Sequence, residues 1–340
     1  MLELGLDTFG DVTLGTDGEV VPQPQVIRDV VAEGVLADEV GLDFFGVGEH
    51  HRPDFAVTAP DVVLTAIAAR TERIRLGSAV TVLSSDDPIR VFQRFATLDA
   101  VSGGRAEVIL GRGSFIESFP LFGYDLGDYE RLFSEKLDLF AALLAEQPVT
   151  WSGQTRAPLV EQRVFPVTES GLRAWVGVGG TPSSVVRAAR YGLPLVIAII
   201  GGPAVRFEPL ADLYRRSLAD LGRDPQPVAV HSPGHIADTD DEAREQAWPH
   251  YEVMRNRIGR ERGWGPTSPA EFAAQAGPDG SMYVGSPETV ARKIAATARL
   301  LDLSRFDLKY SMGQLPHNAM MHSIELYGTH VAPLVRDMLA

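Results

Sequence analysis

The sequence predicts an α/β fold, a (β/α)8 TIM barrel with insertions, and three observations carry the prediction. Short apolar runs alternate with longer segments of helical spacing eight times along the chain. The runs are apolar on both faces, as Leu195 to Ile200 shows, which suits strands covered by helices. The stretch after the first run, Phe9 to Gly18, lacks the G-x-G-x-x-G of an open doubly wound sheet. Strand–helix repeats of this kind pair in parallel through right-handed crossovers, and closing them leaves no edge. All 340 residues are expected to form one domain, 1–340, since such barrels often reach this length.

Each element has its own signal. Leu2 to Phe9 alternates and reads as strand one. Gln25 to Val40 carries Val26, Val30, Val31, Val35 and Leu36 at helical spacing and stops at Gly41. Phe44 to Val47 is strand two. The helix Pro60 to Arg70 follows, its start marked by Thr58 and Pro60. Ile74 to Leu83 is strand three, Pro88 to Val101 a helix, and Ala106 to Leu110 strand four. Tyr129 to Glu146 is strongly amphipathic, whereas Val149 to Val167 is rich in turn formers and reads as a hairpin excursion. Strands five to eight are Ala174 to Val178, Leu195 to Ile200, Val228 to Ala237 and Phe306 to Tyr310. Helices Pro182 to Tyr191, Pro203 to Leu221, Asp240 to Asn256, Pro287 to Leu301 and Ala319 to Leu339 separate and close them, with an irregular stretch around Gly263-Trp264-Gly265-Pro266.

Composition excludes several functions. There is no cysteine, hence no disulfide framework, thiolate metal site or cysteine nucleophile. A formal charge of −14 disfavours nonspecific binding to nucleic acid or an anionic membrane. Leu2-Glu3-Leu4-Gly5-Leu6-Asp7 has no signal-peptide pattern, and the apolar run Leu193 to Ile200 is too short for a bilayer span. A cytoplasmic protein is expected.

In a barrel, chemistry sits where strands end and the following loops begin. Gly48-Glu49-His50-His51-Arg52 follows strand two. It reads as acid–base or cofactor-binding chemistry, as a metal site, or as a hydrogen-bonded polar loop; adjacent histidines do not readily aim at one ion. Leu110-Gly111-Arg112-Gly113-Ser114 follows strand four and reads either as an anion site or as a solvated turn. Gly177-Val178-Gly179-Gly180-Thr181-Pro182-Ser183-Ser184 follows strand five and opens a helix. Thr181 and Pro182 suffice for a plain cap, but two further glycines favour a phosphate against the helix start. Ser78-Ala79-Val80 in strand three is small enough for a flat ring to pack on. His231, His235 and His317 also lie near strand ends.

Taken together, these segments resemble the luciferase-like flavin-dependent monooxygenases. The likeness rests on Gly48-Glu49-His50-His51, on Leu76 to Leu83 with Asp87-Pro88-Ile89-Arg90, and on Leu98-Asp99 with Ser102-Gly103-Gly104-Arg105. It continues through Gly111-Arg112-Gly113, Gly192-Leu193-Pro194 and Ser323 to Gly328. The resemblance implies a barrel binding reduced flavin, with phosphate at Arg112 and at a loop containing Gly179, Gly180, Thr181 and Ser184. It also implies an active-site histidine at His50, with Glu49 holding nearby groups, and a cis peptide between Ala79 and Val80 beneath the ring. The acidic residue and serine of the luciferase loop are Gly180 and Thr181 here, and its reactive cysteine is Gly111. No metal is implied.

The expectation is a monooxygenase that takes reduced FMN from a separate flavin reductase and uses oxygen on a small organic substrate, working as a homodimer. The rivals are an F420-dependent oxidoreductase of the same superfamily, a non-catalytic flavin-binding protein, and metal-dependent hydrolysis. Fold alone decides none of these.

Overall fold

The computed structural model describes residues 1–113 and 115–340; Ser114, the last residue of the Leu110-Gly111-Arg112-Gly113-Ser114 motif, lies outside them. Among the described residues, eight parallel strands close into a barrel: β1 (Glu3–Thr8), β2 (Phe44–Val47), β3 (Arg75–Ser78), β4 (Ala106–Gly111), β5 (Arg173–Val178), β6 (Leu195–Ala198), β7 (Val228–Ile236) and β8 (Arg305–Lys309). Neighbours in sequence order are neighbours in space, and β8 returns to β1 with Leu6 opposite Leu308. The fold is the (β/α)8 barrel that the repeating pattern predicts.

The alternation along each strand sorts side chains between two cores. Leu4 and Leu6 of β1, Val108 and Leu110 of β4, and Phe306 and Leu308 of β8 join the large cluster between the strands and the surrounding helices. Phe44, Ile109, Trp175, Val196 and Ala229 form a second cluster. The residues alternating with the outer set are not uniformly apolar, as the sequence reading supposed. Glu107, Arg305, Asp307 and Asp7 are all buried. Arg305 is sandwiched between the rings of Phe44 and Trp175, with its guanidinium carbon 3.9 and 4.4 Å from their centroids, and it binds Glu107 and Asp307. A buried charge of this kind persists because each member is paired.

Strand three is shorter than the apolar run suggests. It stops at Ser78, whose hydroxyl donates to the Ile109 carbonyl at 3.1 Å and accepts from the Ile109 N–H at 3.2 Å, replacing the ladder. The Ala79–Val80 peptide is cis, Thr81–Val82 pairs again with Leu110 and Gly111, and a 3-10 turn follows at Leu83–Ser85. The hairpin excursion is present as Val149–Trp151 against Leu159–Gln162.

Three elements are additional to the sequence expectation. Tyr283–Gly285 lies parallel to the end of β7, and short helices form at Ser118–Phe122 and Pro269–Ala276. The helix from Asp240 runs on to Arg262, ending at left-handed Gly263, rather than stopping at Asn256. The closing helix is interrupted by a π-helical turn at Tyr327–Val331. A Cβ on Gly328 would lie 2.3 Å from Val40, so glycine permits this turn to touch the first helix. Among the described residues, no helix is long and apolar enough to cross a membrane.

Candidate active site

The C-terminal ends of the strands surround a cavity of about 360 Å³. Of the residues singled out in the sequence, Glu49, His50, Ala79, Val80, Arg112 and Gly179 line it together. Gly180, Thr181 and Ser184 follow Gly179 at the start of helix Pro182–Tyr191 but do not contribute to the lining.

One wall is aromatic. His50 lies 4.6 Å from the ring of Phe9, 4.5 Å from Phe55 and 5.2 Å from Phe115. Its Nε2 has no hydrogen-bond partner among the described residues. Burial pushes the imidazole down to about 3, further than the opposing pull of Asp11, so His50 is neutral across the physiological range. His51 turns the other way and donates from Nε2 to Glu49 Oε1 at 2.8 Å. The two histidines therefore do not converge on one point.

Glu49 is buried, and its second oxygen accepts the backbone N–H of Val82 at 2.9 Å. Its own N–H donates to the Val80 carbonyl at 3.2 Å. The carboxylate thus ties the loop after β2 to the segment that contains the cis peptide. Close packing around that segment depends on glycine: a Cβ on Gly111 would lie 2.4 Å from Val80 Cγ2, and one on Gly177 3.0 Å from Val80 Cγ1. Val80 consequently has β4 and β5 directly beneath it.

The opposite end is basic. Arg112 binds the carboxylate of Glu130 and lies 5.2 Å from the Tyr129 ring centroid, while Tyr129 donates to the Gly113 carbonyl at 2.9 Å. Arg187, from helix Pro182–Tyr191, donates to the other Glu130 oxygen at 2.8 Å. Burial opposes ionisation of Glu130, but Arg187 and Arg112 together hold its carboxyl below the ordinary value. Gly180 has φ +113°, and beside it the hydroxyls of Thr181 and Ser184 bond each other at 2.7 Å. Thr181 is the N-cap and Pro182 opens the helix, as the plain-cap reading has it, but the Thr181 hydroxyl makes no cap bond and turns to Ser184 instead.

The sequence reading missed part of the lining. Phe9, Tyr129, Asp7 and Asp307 all face the cavity, and His231, already singled out near a strand end, joins them with Nδ1 2.6 Å from Asp7 Oδ2. Arg187 and Glu130 escaped notice because each sits on a helix whose charges look like an ordinary wet face. The signal for Asp307 was available: Arg305, Asp307 and Lys309 alternate with Phe306 and Leu308, which is how an inward charged face is written.

Comparison with known proteins agrees with this fold. The model of the family described as luciferase-like monooxygenase matches residues 8–303. The chain belongs to the luciferase-like monooxygenase family. A family member from Streptomyces nodosus subsp. asukaensis, 4-hydroxyprotoasukamycin monooxygenase, is 32% identical over 62% of this chain and 58% of its own length. Limonene 1,2-monooxygenase of Rhodococcus erythropolis is 28% identical over 87% of this chain and 78% of its own. The matches span about 58% of the length of the first curated relatives. Among solved structures, a monooxygenase from Streptomyces bottropensis superposes with TM-score 0.83 at 24% identity, covering 98% of this chain and 99% of that one. The oxygenating constituent of 3,6-diketocamphane monooxygenase from Pseudomonas putida, determined with FMN, gives 0.75 at 20% identity over 98% of both. An F420-dependent tetrahydromethanopterin reductase from Methanopyrus kandleri gives 0.72 at 18%, covering 98% of this chain and 99% of that one, so the luciferase-like fold alone does not choose between the two cofactors.

Proposed function

We propose that this luciferase-like monooxygenase binds reduced FMN and uses it with molecular oxygen to oxidise a small organic substrate. The observation that carries the reading is the continuity of one cavity from His50 and the Ala79–Val80 peptide to Arg112 and Gly179. A largely apolar cavity with an arginine in its lining suits a ring system carrying a phosphate.

The residues fit the group. Arg112 supplies a guanidinium fork for phosphate, and the N-terminus of helix Pro182–Tyr191, opened by Gly180, Thr181 and Ser184, supplies N–H and hydroxyl donors. Arg187 joins them through its shared partner Glu130. Ala79 and Val80 offer a small flat surface for the ring, and the unpartnered Nε2 of His50 is a group that a ligand satisfies. Reduced flavin supplies the electrons and the reaction with oxygen.

The chain does the remainder. Glu49 fixes the Val82 backbone and His51, keeping the slot in shape. His50, neutral and boxed by aromatic rings, hydrogen-bonds the bound ligand rather than storing a proton. Phe9, Phe55 and Phe115 on that side keep water away from the reacting groups. A separate flavin reductase supplies reduced FMN, the protein acts in the cytoplasm, the whole chain works as one domain, and two copies form a homodimer. Admission of air to an anaerobic complex with reduced FMN tests the reading. Bound reduced FMN reoxidises on a different time course from free FMN, and replacing His50 by Ala changes it; identical curves with and without protein contradict the proposal.

A further inference from the structure

The proposed function leaves one polar group of the cavity unused. His231 of β7, Asp7 of β1 and Asp307 of β8 stand on three adjacent strands, with His231 and Asp307 directly in register. All three line the cavity. Asp7 and Asp307 are almost fully buried, while the His231 side chain keeps 13% exposure. The ring of His231 stacks on Phe9 with centroids 5.9 Å apart and planes inclined by 19°.

The orientation of the ring is fixed by one bond. Nδ1 lies 2.6 Å from Asp7 Oδ2, and since a carboxylate only accepts, the proton on this nitrogen points at Asp7. The side chain lines the cavity, and among the described residues Nε2 makes no hydrogen bond. The same logic operates wherever a buried carboxylate orients an imidazole toward a substrate. His50 has no such partner, and it cannot take up a proton at neutral pH.

We infer that His231, oriented by Asp7, is the acid–base residue of this cavity, and that it takes the proton of an acidic O–H, a phenol or an enol, on the substrate. The inference rests on the monooxygenase reading and names its substrate class. In this step the substrate O–H bond breaks, an N–H bond forms at Nε2, and the electron pair stays on oxygen. The electron-rich anion that results is the form of such a substrate most readily oxidised. Asp7 is a positioning residue and counters the charge that develops on the ring.

The surroundings suit proton traffic. Asp7 Oδ1 and Asp307 Oδ1 have no hydrogen-bond partner among the described residues. Gly5 makes room for Asp307, because a Cβ there would lie 2.2 Å from its Oδ1. Burial pushes the Asp307 carboxyl up to about 7, with Asp7 and Glu107 adding to the rise and Arg305 opposing it. The charged and titratable groups that share the cavity with His231 are Asp7 from β1, Asp307 from β8, Glu49 and His50 from the loop after β2 and Arg112 after β4, with Arg305 and Glu107 acting on Asp307. Lys309 is committed to Asp11, which accepts from it at 2.9 and 3.0 Å.

The test uses 4-cyanophenol, whose neutral and ionised forms absorb differently, added under anaerobic conditions to protein saturated with reduced FMN. Wild type captures it as the phenolate, lowering the apparent ionisation midpoint by about one unit, a tenfold shift. His231→Gln returns the midpoint to that in buffer, and Asp7→Asn moves it part of the way. Binding by wild type only as the neutral phenol, no binding at all, or an unchanged midpoint in His231→Gln overturns the inference. Failure of wild type to bind FMN in the preceding step overturns the monooxygenase reading instead, so the two failures are distinguishable.

Discussion

Glu49 reaches across 33 residues of sequence to accept the Val82 N–H at 2.9 Å, and its other oxygen holds His51. One carboxylate thus fixes the strand-three segment and the loop bearing His50 relative to each other. Glu49→Ala leaves a buried N–H and a buried imidazole without partners, a loss of about 1–3 kcal/mol. Urea denaturation is expected to show that loss, and FMN titration a weaker complex. Glu49→Gln keeps one acceptor oxygen, so it recovers much of the stability.

Two histidines give stability a predictable dependence on pH. Burial pushes His50 down to about 3 and His235 down to about 4, the latter despite a 2.7 Å bond from its Nε2 to Gln246. Their ordinary value is 6.5. Between the folded and unfolded values the unfolded chain binds more protons, so stability rises with pH there and falls on acidification. The contribution is fully present above about pH 6.5 and is lost progressively toward pH 3–4. Denaturation midpoints of His235→Asn across pH 4–7 are expected to fall less steeply than those of wild type. Parallel profiles contradict the assignment.

Arg112 and Arg187 share Glu130, and a phosphate competes with that carboxylate for the same donors. Arg112→Ala is expected to weaken FMN by about 10–100-fold, the loss of a charge-assisted pair, and to leave riboflavin affinity nearly unchanged. Glu130→Gln is expected to tighten FMN. Fluorescence titrations with FMN and riboflavin in parallel read the phosphate contribution directly, and equal losses for both ligands refute the role of Arg112.

Arg52 joins three parts of the rim. It binds Asp54 in its own loop, Glu117 beside helix Ser118–Phe122, and Glu261 near the end of helix Asp240–Arg262, and it covers the Phe115 ring at 4.4 Å. Arg52→Ala is expected to free these elements together. Amide exchange at residues 115–123 and 257–263 accelerates by about tenfold in that variant, with exchange in β1 and β4 unchanged. The ions are partly exposed, so raised salt reproduces part of the effect in wild type.

The barrel was legible because eight repeats of one pattern are hard to mistake for anything else, and most strand limits differ from the apolar runs by only a residue or two. The helix Pro269–Ala276 was not read, although its start is marked by Ser268 and Glu271, which form a reciprocal capping box. The gathering of Glu49, His50, Arg112 and Gly179 followed from their placement after strand ends, whereas Ala79 and Val80 were read inside strand three and came to the site through the family resemblance. The floor of the cavity was not foreseen. Asp7 belongs to a strand read only as alternating and Asp307 to one taken as apolar on both faces, and only closure of β8 onto β1 reveals that their carboxylates share a space with His231. Arg187 needed the tertiary meeting of two helices at Glu130.

The most direct test of the central claim is an anaerobic competition titration with reduced FMN, oxidised FMN and reduced F420. The account predicts selective, saturable binding of reduced FMN, weakened in Arg112→Ala. Selective binding of reduced F420, or of none of the three, would contradict it.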